Sequence, residues 1–464
     1  MEQTKSKTNA DSVMQKSVTR LAVPIFIQCL LSMCLGYVDT IMLSNYSDTA
    51  VGAVGNANQV LGFLTLAFSI ISSATGIMAS QYLGAGRKKE ISVVYTVSVA
   101  FNLLLSVVIS TVVFVFSGGL LTVMNVPGEM FENANTYMQL VGGFIFTQAI
   151  FDAFDQIFRS NGKTTVGMLL AFAMNIINIA GNFCFLYGPL KYLNLGVTGV
   201  AISTSVSRVV VVIIAIIYFK IAIDGEISFK YLKPFPFDVL KKLLRLGIPT
   251  AGENISYNFS QIIISIVVNT LGTIAINTRI YATMLCNFSY MYALSMALAT
   301  QILVGHSVGA GDYDYAYKRV FKTMKTAIVV SAVIATLNWL LSPYTFSLFV
   351  YNSPNSAEII SLGSQIMLIA VFLEFGRSTN LVVINSMKAA GDVKFPTVLG
   401  ICSMWGVSVL FSFLLGIVFN MGLQGVWIAM AADEILRGIV VLIRWKRGTW
   451  RGKSVVTKEE KSTS

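Results

Sequence analysis

Long apolar stretches with almost no charge recur along the chain and are separated by short polar segments. Each is close to the roughly 20 residues that a helix needs to cross a bilayer. The strands of a transmembrane barrel, about 10 residues long with alternating polarity, are absent, so each stretch must satisfy its backbone hydrogen bonds as a helix. The pattern predicts twelve membrane-spanning helices, at residues 21–44, 53–82, 91–116, 134–157, 165–188, 197–222, 244–270, 276–305, 322–350, 361–387, 395–419 and 423–444.

The composition excludes an ordinary soluble protein. Of the 464 residues, 55% are hydrophobic and only 12% are charged, whereas soluble domains carry roughly 25% charged residues. The sequence therefore predicts an all-α polytopic membrane protein that is embedded in a lipid bilayer.

The basic residues fall almost entirely on one side of the predicted membrane. The 33 Lys and Arg contribute to a formal net charge of +11. All except Lys191 and four arginines well inside predicted helices lie in the termini, in alternate loops or at the helix ends that border them. Because basic loops stay in the cytoplasm, both termini are predicted to be cytoplasmic. The positive charge thus indicates topology, and nucleic acid is not an expected partner. The first twenty residues contain no apolar core, so no cleavable signal peptide is expected.

The second half of the chain repeats the first. Pro24 recurs as Pro249, and the Gly-Ala-Gly motif at 84–86 recurs 225 residues later at 309–311. Each half contains six predicted helices, an even number, so the halves insert in the same direction and are related by a pseudo-two-fold axis along the membrane normal. The predicted organisation is a cytoplasmic N-terminal segment (1–20), an N-lobe (21–222), a solvated cytoplasmic linker (223–243), a C-lobe (244–444) and a cytoplasmic basic tail (445–464).

Catalytic chemistry is poorly supplied. His306 is the only histidine, so histidine-based triads and metalloprotease motifs are excluded. Lys163 and Thr164 resemble the end of a phosphate-binding loop, but Ile157 occupies the position of its first glycine. The five cysteines have no paired spacing, so neither a disulfide framework nor a metal site is predicted. We expect neither an enzyme nor a bound cofactor.

Charged residues inside the predicted helices carry the strongest functional information, since each costs several kcal/mol in hydrocarbon unless it faces a cavity or a partner. The acids outnumber the arginines by three, and an interior biased in this way suits cations, either organic substrates or a coupling H+ or Na+. The acids are Asp39, Asp152, Asp155, Glu253, Glu374, Asp433 and Glu434, and the arginines are Arg208, Arg279, Arg377 and Arg437.

Four polar residues are predicted to meet in the outer half of the membrane. Asp39 lies eighteen residues along an outward-running helix, and Asn182 and Thr204 reach a similar depth on two later helices. Asn178 lies one turn from Asn182 on the same face. A carboxylate with amide and hydroxyl neighbours suits a proton or a weakly held Na+ at Asp39, because hard cations prefer oxygen ligands. A hydrogen-bonded packing cluster is the alternative.

Further candidates lie nearer the cytoplasm and in the second half. Gln28 lies about three turns before Asp39 on the same side of the helix. Glu253 occupies the repeat position of Gln28, and it is either a substrate or proton site or the structural partner of an arginine.

Glu374 and Arg377 are three residues apart, which predicts an intrahelical ion pair, and Glu434 with Arg437 has the same spacing. Glu374 nevertheless lies near mid-membrane and remains a candidate transport site. The aromatic rings of Tyr37 and Tyr281 are candidates for stacking on a cationic drug.

Taken together, these residues resemble the multidrug and toxic compound extrusion (MATE) family over about 20–445. The motifs that carry the resemblance are Pro24 to Val38-Asp39-Thr40, Gln81 to Arg87, the turn from Arg159 to Thr164 with its repeat from Lys388 to Asp392, Asn178 to Asn182, and Gly196-x-x-Gly199-Val200-Ala201.

The resemblance implies a two-lobed prokaryotic antiporter that expels cationic amphipathic compounds in exchange for H+ or Na+ by alternating access. It implies a monomer in the cytoplasmic membrane, with Asp39 as the principal coupling residue, supported by Asn178 and Thr204. Some members carry an aspartate where this chain has Asn182, and some carry an acid near the position of Arg377. A two-aspartate relay in the first lobe is therefore not expected, and the coupling ion and the lobe that binds substrate stay open.

Two alternatives compete with this hypothesis. A flippase for lipid-linked saccharides, from the same superfamily, would need several arginines in its cavity for an anionic diphosphate, and the surplus of acids disfavours it. A membrane-embedded enzyme would need a nucleophile and a base, and no such pair is apparent in the sequence.

Overall fold

The computed structural model describes residues 12–350 and 354–456. Within this part of the chain the secondary structure is helical, and no strand is present. Short turns connect most of the helices, which suits successive passes through a membrane. The helices are α1 (Val18–Ser44), α2 (Asp48–Gly84), α3 (Lys88–Val123), α4 (Gly128–Gly143), α5 (Ile145–Ser160), α6 (Thr164–Leu186), α7 (Gly196–Ala222), α8 (Phe237–Asn269), α9 (Thr273–Ala310), α10 (Tyr313–Phe349), α11 (Ser356–Ala389), α12 (Lys394–Ser403), α13 (Leu410–Phe413) and α14 (Gly422–Lys446), with π-helical segments Met404–Val409 and Leu414–Val418 flanking α13 and 3-10 helices at Lys191–Leu193 and Phe229–Leu232.

Every predicted span has a helical counterpart, and the predicted all-α class is confirmed. Nine helical segments of the described residues are long and apolar enough to cross a membrane. The predicted fourth, seventh and twelfth spans complete the twelve: the fourth is divided between α4 and α5, whereas α8 and α14 are more polar. Several helices extend past the predicted ends. α10, for example, begins at Tyr313 rather than at residue 322, because its first turns precede the apolar stretch.

The predicted fourth helix, 134–157, is corrected to two helices that meet at Phe144. Gly142 lies just before the break, and small residues of this kind are frequent sites of helix kinks. Val113 of α3 occupies the space that a Cβ at Gly142 would need, so only glycine fits. A backbone amide in the first turn of α5 donates to Ser110 Oγ at 3.2 Å, which satisfies a group that the break would otherwise leave unpaired.

The described chain divides into two compact units. One contains residues 12–13 and 23–248, and the other contains residues 14–22 and 249–456. Each unit has its own apolar core: Ala53 of α2 packs with Met138 of α4 in the first, and Ile366 of α11 packs with Trp427 of α14 in the second. Both cores consist of side chains from helices of the same unit.

Close contacts between helices depend on glycine in both units. A Cβ on Gly181 of α6 would lie 2.6 Å from Ser203 Oγ of α7, and a Cβ on Gly376 of α11 would lie 2.5 Å from the backbone nitrogen of Ile435 in α14. Membrane helices associate through such small-residue contacts, because apolar side chains gain little by leaving lipid. These two approaches bring polar side chains of neighbouring helices within hydrogen-bonding distance.

The sequence predicts a solvated linker at 223–243, and the structure shows where this segment contacts the helices. α8 begins inside that range. The backbone amide of Glu226 donates to Ser92 Oγ at 3.0 Å, and that of Ser228 donates to Thr96 Oγ1 at 3.2 Å. The linker therefore packs along the start of α3, because hydroxyl groups on that helix accept from backbone donors of the extended segment.

The described part of the predicted tail 445–464 also packs against the protein. Trp450 is buried. Asp392, in the turn between α11 and α12, accepts hydrogen bonds from Arg444 at 2.8 Å and from Lys453 at 2.7 Å. The chain after α14 thus forms a strap that is held to this turn by charge-assisted hydrogen bonds.

We expect Gly376→Ala to destabilise the protein, because the added methyl group meets the α14 backbone rather than a flexible side chain. Overpacking of this kind costs about 1–3 kcal/mol and should lower the midpoint of thermal unfolding in detergent. Gly62→Ala is the matched control, since no atom lies within 4 Å of the position that its Cβ would take. Equal midpoints for the two variants would contradict the close α11–α14 contact.

Candidate functional site

The four residues predicted to share one layer form a continuous chain of hydrogen bonds in the first unit. Asn182 Nδ2 donates to Asp39 Oδ1 at 2.7 Å and to Asn178 Oδ1 at 3.1 Å. Asn178 Nδ2 donates in turn to Thr204 Oγ1 at 3.0 Å. Thr204 Oγ1 donates to the carbonyl of Val200 in its own helix at 2.9 Å. α1, α6 and α7 are thereby joined at one level.

The chain of hydrogen bonds leaves an oxygen atom uncommitted beside the carboxylate. Asn182 is fully buried, and its Oδ1 has no hydrogen-bond partner in the described part of the protein. An unsatisfied buried oxygen costs about 1–3 kcal/mol. A proton carried on Asp39, or a Na+ coordinated by the oxygens of this group, would offset that cost. The oxygen atoms of this arrangement are therefore suited to binding a proton or coordinating a hard cation.

The packing of α6 determines where its two amides lie. Gly181 faces Ser203, which precedes Thr204 on α7, so α6 and α7 approach closely beside the hydrogen bond between them. Asn175 Nδ2 donates to the carbonyl of Leu31 in α1 at 2.8 Å. α6 is therefore anchored to α7 on one side and to α1 on the other.

A further polar group in the first unit, formed by half-buried side chains, was not assigned a role from the sequence. Gln148 Nε2 donates to Asp152 Oδ1 at 2.9 Å. Arg208 is close enough for its charge to act on both Asp152 and Asp39. Arg208 follows Thr204 by four residues on α7, and this spacing places the two side chains on one face. That spacing is the sequence feature that locates this arginine near the Asp39 chain.

Gln28 does not join the Asp39 chain. Its Oε1 accepts from Arg159 Nη2 at 2.9 Å, and Arg159 Nε lies 2.8 Å from Asp155 Oδ2. A Cβ on Gly167 of α6 would meet oxygens of both Gln28 and Asp155, so glycine allows α6 to start against this group. The three polar residues connect α1 with the end of α5.

Glu253 makes the corresponding contact in the second unit. Glu253 Oε2 lies 2.8 Å from Lys388 Nζ. Gln28 and Glu253 are repeat-related, as are Arg159 and Lys388, so each unit ties its proline-containing helix to the end of a later helix through a basic side chain. Glu253 is thus paired with a lysine rather than with an arginine. Because Lys388 is the repeat counterpart of Arg159, the contact between Gln28 and Arg159 identifies Lys388 as the partner of Glu253.

The other acids of the second unit are paired with arginines. Arg377 Nη1 lies 2.7 Å from Glu374 Oε1. Arg437 Nη2 lies 2.7 Å from Asp433 Oδ2 and 3.1 Å from Glu434 Oε1. The two pairs predicted from i, i+3 spacing, Glu374–Arg377 and Glu434–Arg437, are both present. Glu374 Oε2 is buried without a hydrogen-bond partner among the described residues, so this carboxylate keeps one acceptor for a proton or cation.

The two candidate aromatic residues differ in their surroundings. Tyr281 stacks on Phe349, with ring centroids 4.9 Å apart and planes 5° apart, so one face of its ring is covered. Tyr37 is 44% exposed. Stacking of a cationic drug on either ring stays a prediction, and for Tyr281 it is restricted to the uncovered face.

The family of the chain follows from comparison with known proteins. A family model described as MatE matches residues 24–184 and 249–414. The chain belongs to the MATE family. This confirms the resemblance derived from the sequence motifs, and MATE is a family of multidrug efflux transporters rather than of enzymes. The two matched segments begin at Pro24 and at Pro249, which are the repeat-related prolines.

Curated relatives of this MATE chain match nearly its whole length. "Uncharacterized transporter YisQ" from Bacillus subtilis (strain 168) is 38% identical over 439 residues, covering 95% of this chain and 96% of the relative. "Probable multidrug resistance protein NorM" from Thermotoga maritima is 25% identical, covering 96% of this chain and 95% of the relative. The similarity therefore extends over both halves of the chain.

Solved MATE structures share the fold. A MATE transporter crystallised in the bent conformation superposes with a TM-score of 0.86 at 22% identity, covering 96% of this chain and 97% of that chain. A MOP superfamily transporter from Pyrococcus furiosus, described as having a binding pocket of reverse polarity, gives a TM-score of 0.85 at 20% identity over 94% of this chain and 97% of that chain. These similarities confirm the predicted architecture of twelve helices in two lobes.

The buried pair of this MATE protein near the end of α11 generates a stability prediction. We expect Lys388→Met to destabilise the protein by about 3–5 kcal/mol, because it leaves the Glu253 carboxylate without a counter-charge. Lys388→Met combined with Glu253→Gln should recover most of the loss. Thermal unfolding in detergent measures both effects, with Lys394→Met as the control because Lys394 is exposed. The single variant Glu253→Gln completes the comparison. If the loss of stability in the double variant equalled the sum of the losses in Lys388→Met and Glu253→Gln, the pairing would be contradicted.

Proposed function

We propose that this MATE protein is a secondary active antiporter that exports cationic amphipathic compounds in exchange for H+ or Na+, with Asp39 as its coupling residue. The observation that carries the proposal is the hydrogen-bonded chain that ends on Asp39. Among the described residues, no Lys or Arg side chain lies within ion-pair distance of this carboxylate, whereas Asp155, Glu253 and Glu374 each pair with a basic residue. Asp39 therefore keeps its negative charge available to a mobile cation.

The chemistry of this carboxylate supports exchange. H+, Na+ and an organic cation each neutralise a buried carboxylate, and all three are attracted to the same oxygen atoms. Binding of one then disfavours binding of another, which is the requirement for antiport. Asn182 stabilises the charged state of Asp39 through a donated hydrogen bond, and Asn178 accepts from the same amide group and so helps to orient it. The site therefore has a defined geometry when the carboxylate is unprotonated.

The repeat supports a coupling site in the first lobe. Ile264 occupies the repeat position of Asp39, and Met430 occupies that of Thr204. Neither aliphatic nor thioether side chains offer a hard cation its preferred oxygen ligands. The second lobe therefore has neither the carboxylate nor the hydroxyl of this group at the repeat positions, although Glu374 of that lobe retains a buried acceptor.

The pairing of the buried arginines disfavours the flippase alternative. Arg377 and Arg437 are each bound to carboxylates of their own helix, and Arg159 is paired in the same way. These three arginines are therefore engaged. Of the four arginines inside the predicted helices, only Arg208 and Arg279 have no ion pair among the described residues and would be available to an anionic diphosphate headgroup. Relatives that are named multidrug resistance proteins support drugs as the substrates. The proposal further includes cationic substrates and a monomer in the cytoplasmic membrane with both termini inside.

We expect Asp39→Asn to reach the membrane in normal amounts but to lose ion-driven export, because a neutral amide removes the charge that the coupling ion and the substrate share. The measurement is ethidium transport in proteoliposomes under an imposed pH gradient and, separately, an imposed Na+ gradient. The initial rate should fall at least tenfold for the gradient that drives the wild type.

Glu129→Gln is the matched control, since it neutralises an exposed carboxylate of the same lobe and should transport normally. Gradient-driven export by Asp39→Asn at the wild-type rate would refute the assignment and direct attention to Glu374 and Glu253. A wild type that ignores both gradients would refute antiport itself.

A further inference from the structure

A basic groove lies at one end of the second unit, outside the group of residues discussed above. It has a volume of about 510 Å3, and it is lined by Lys318, Lys322 and Lys325 of α10, by Lys446 at the end of α14, and by the aromatic rings of Tyr317 and Phe321. The four lysines are exposed, whereas the two rings are half-buried. The rings contact each other with centroids 4.9 Å apart and form the floor between the lysines.

The lysines of this groove are not neutralised by neighbouring acids. None of the four forms an ion pair with any described acidic residue. The sequence from Tyr315 to Val350 contains no Asp or Glu. Four ammonium groups around one groove repel each other unless an anion lies between them, so the groove is electrostatically complementary to a ligand with one or two negative charges.

The lysines are continuous with an exposed apolar surface on the same helix face. Lys322 and Lys325 are followed on α10 by Val329, Val333 and Leu337, at spacings that keep all of them on one side. Each of these three apolar side chains is more than half exposed. The same arrangement recurs on α14, where Ile439 and Ile443 precede Lys446 and are both exposed. The groove therefore has cations at one level and apolar side chains directly beyond them.

The first unit provides an internal comparison, because α3 is the repeat counterpart of α10. Val93, Val97 and Ala100 occupy the positions that correspond to Lys318, Lys322 and Lys325, at the same offset of 225 residues. The linker also covers this part of α3 through the hydrogen bonds of Ser92 and Thr96. The basic groove is thus a property of one half of the repeat, and the shared fold does not require it.

We propose that the groove binds an anionic phospholipid, with headgroup phosphate between the four lysines and acyl chains along the apolar surfaces of α10 and α14. Phosphate oxygens accept charge-assisted hydrogen bonds from lysine ammonium groups, and basic pockets at membrane-helix ends are typical sites for such headgroups. The adjacent apolar surface distinguishes a lipid from a soluble phosphate, which gains nothing from it. Four lysines around one groove further favour a headgroup with two phosphates over one with a single phosphate.

The test is native mass spectrometry of the delipidated full-length protein titrated with diphosphatidylglycerol. The groove variant is Lys318→Gln/Lys322→Gln/Lys325→Gln, and the matched control is Lys220→Gln/Lys233→Gln/Lys241→Gln, which removes the same charge from exposed positions in and beside the linker. We expect the apparent affinity for the lipid to fall at least tenfold in the groove variant and less than twofold in the control. Unchanged thermal unfolding of both variants shows that they are folded.

Other ligands separate the possible sources of the phosphate. Phosphatidylglycerol should bind more weakly than diphosphatidylglycerol, and phosphatidylcholine should not bind above background. Equal losses in the groove and control variants would overturn the proposal in favour of general charge attraction. Displacement of the lipid by millimolar inorganic phosphate or glycerol 3-phosphate would overturn it in favour of a soluble phosphate site.

Discussion

The structure depends on one constraint: a charged side chain in hydrocarbon needs a compensating partner. In both units this constraint determines which helices approach each other. Arg159 connects α5 to α1 through Gln28, and Lys388 connects α11 to α8 through Glu253. The glycines follow from the same requirement. Without Gly376 the α14 backbone could not come close enough to α11 for the buried acids and arginines of the two helices to interact.

Two acids inside the helices, Asp39 and Asp152, have no ion-pair partner among the described residues, whereas the other five are paired. Each accepts a hydrogen bond from one amide side chain, Asp39 from Asn182 and Asp152 from Gln148, and an amide donor compensates a carboxylate less completely than a full positive charge does. At Asp39, a proton, a metal cation or an organic cation would supply the remaining compensation under the proposed antiport. A structural ion pair is permanent, whereas a carboxylate without a basic partner can exchange one mobile cation for another, and the proposed role of Asp39 depends on that difference.

Much of the fold and part of the site follow from the sequence because they depend on local spacing. The ion pairs follow from the i, i+3 spacing of their residues, and the helix count follows from the number and length of the apolar stretches. The meeting of Asp39, Asn178, Asn182 and Thr204 follows from counting residues along neighbouring spans. Features that depend on tertiary contacts were not predictable in this way. The break at Phe144, for example, is set by Val113 packed against Gly142, and the linker packs because Ser92 and Thr96 happen to face it.

The repeat shows where the two halves have kept a common structure and where they have diverged. The basic anchors near Pro24 and Pro249 are retained, although their acid lies on α5 in one unit and on α8 in the other. The acid can lie on either helix because an ion pair requires only two opposite charges at contact distance. At the level of Asp39 the halves differ completely, with Ile264 in place of the carboxylate. This difference agrees with the proposed coupling role of Asp39, because coupling requires such a carboxylate in only one half.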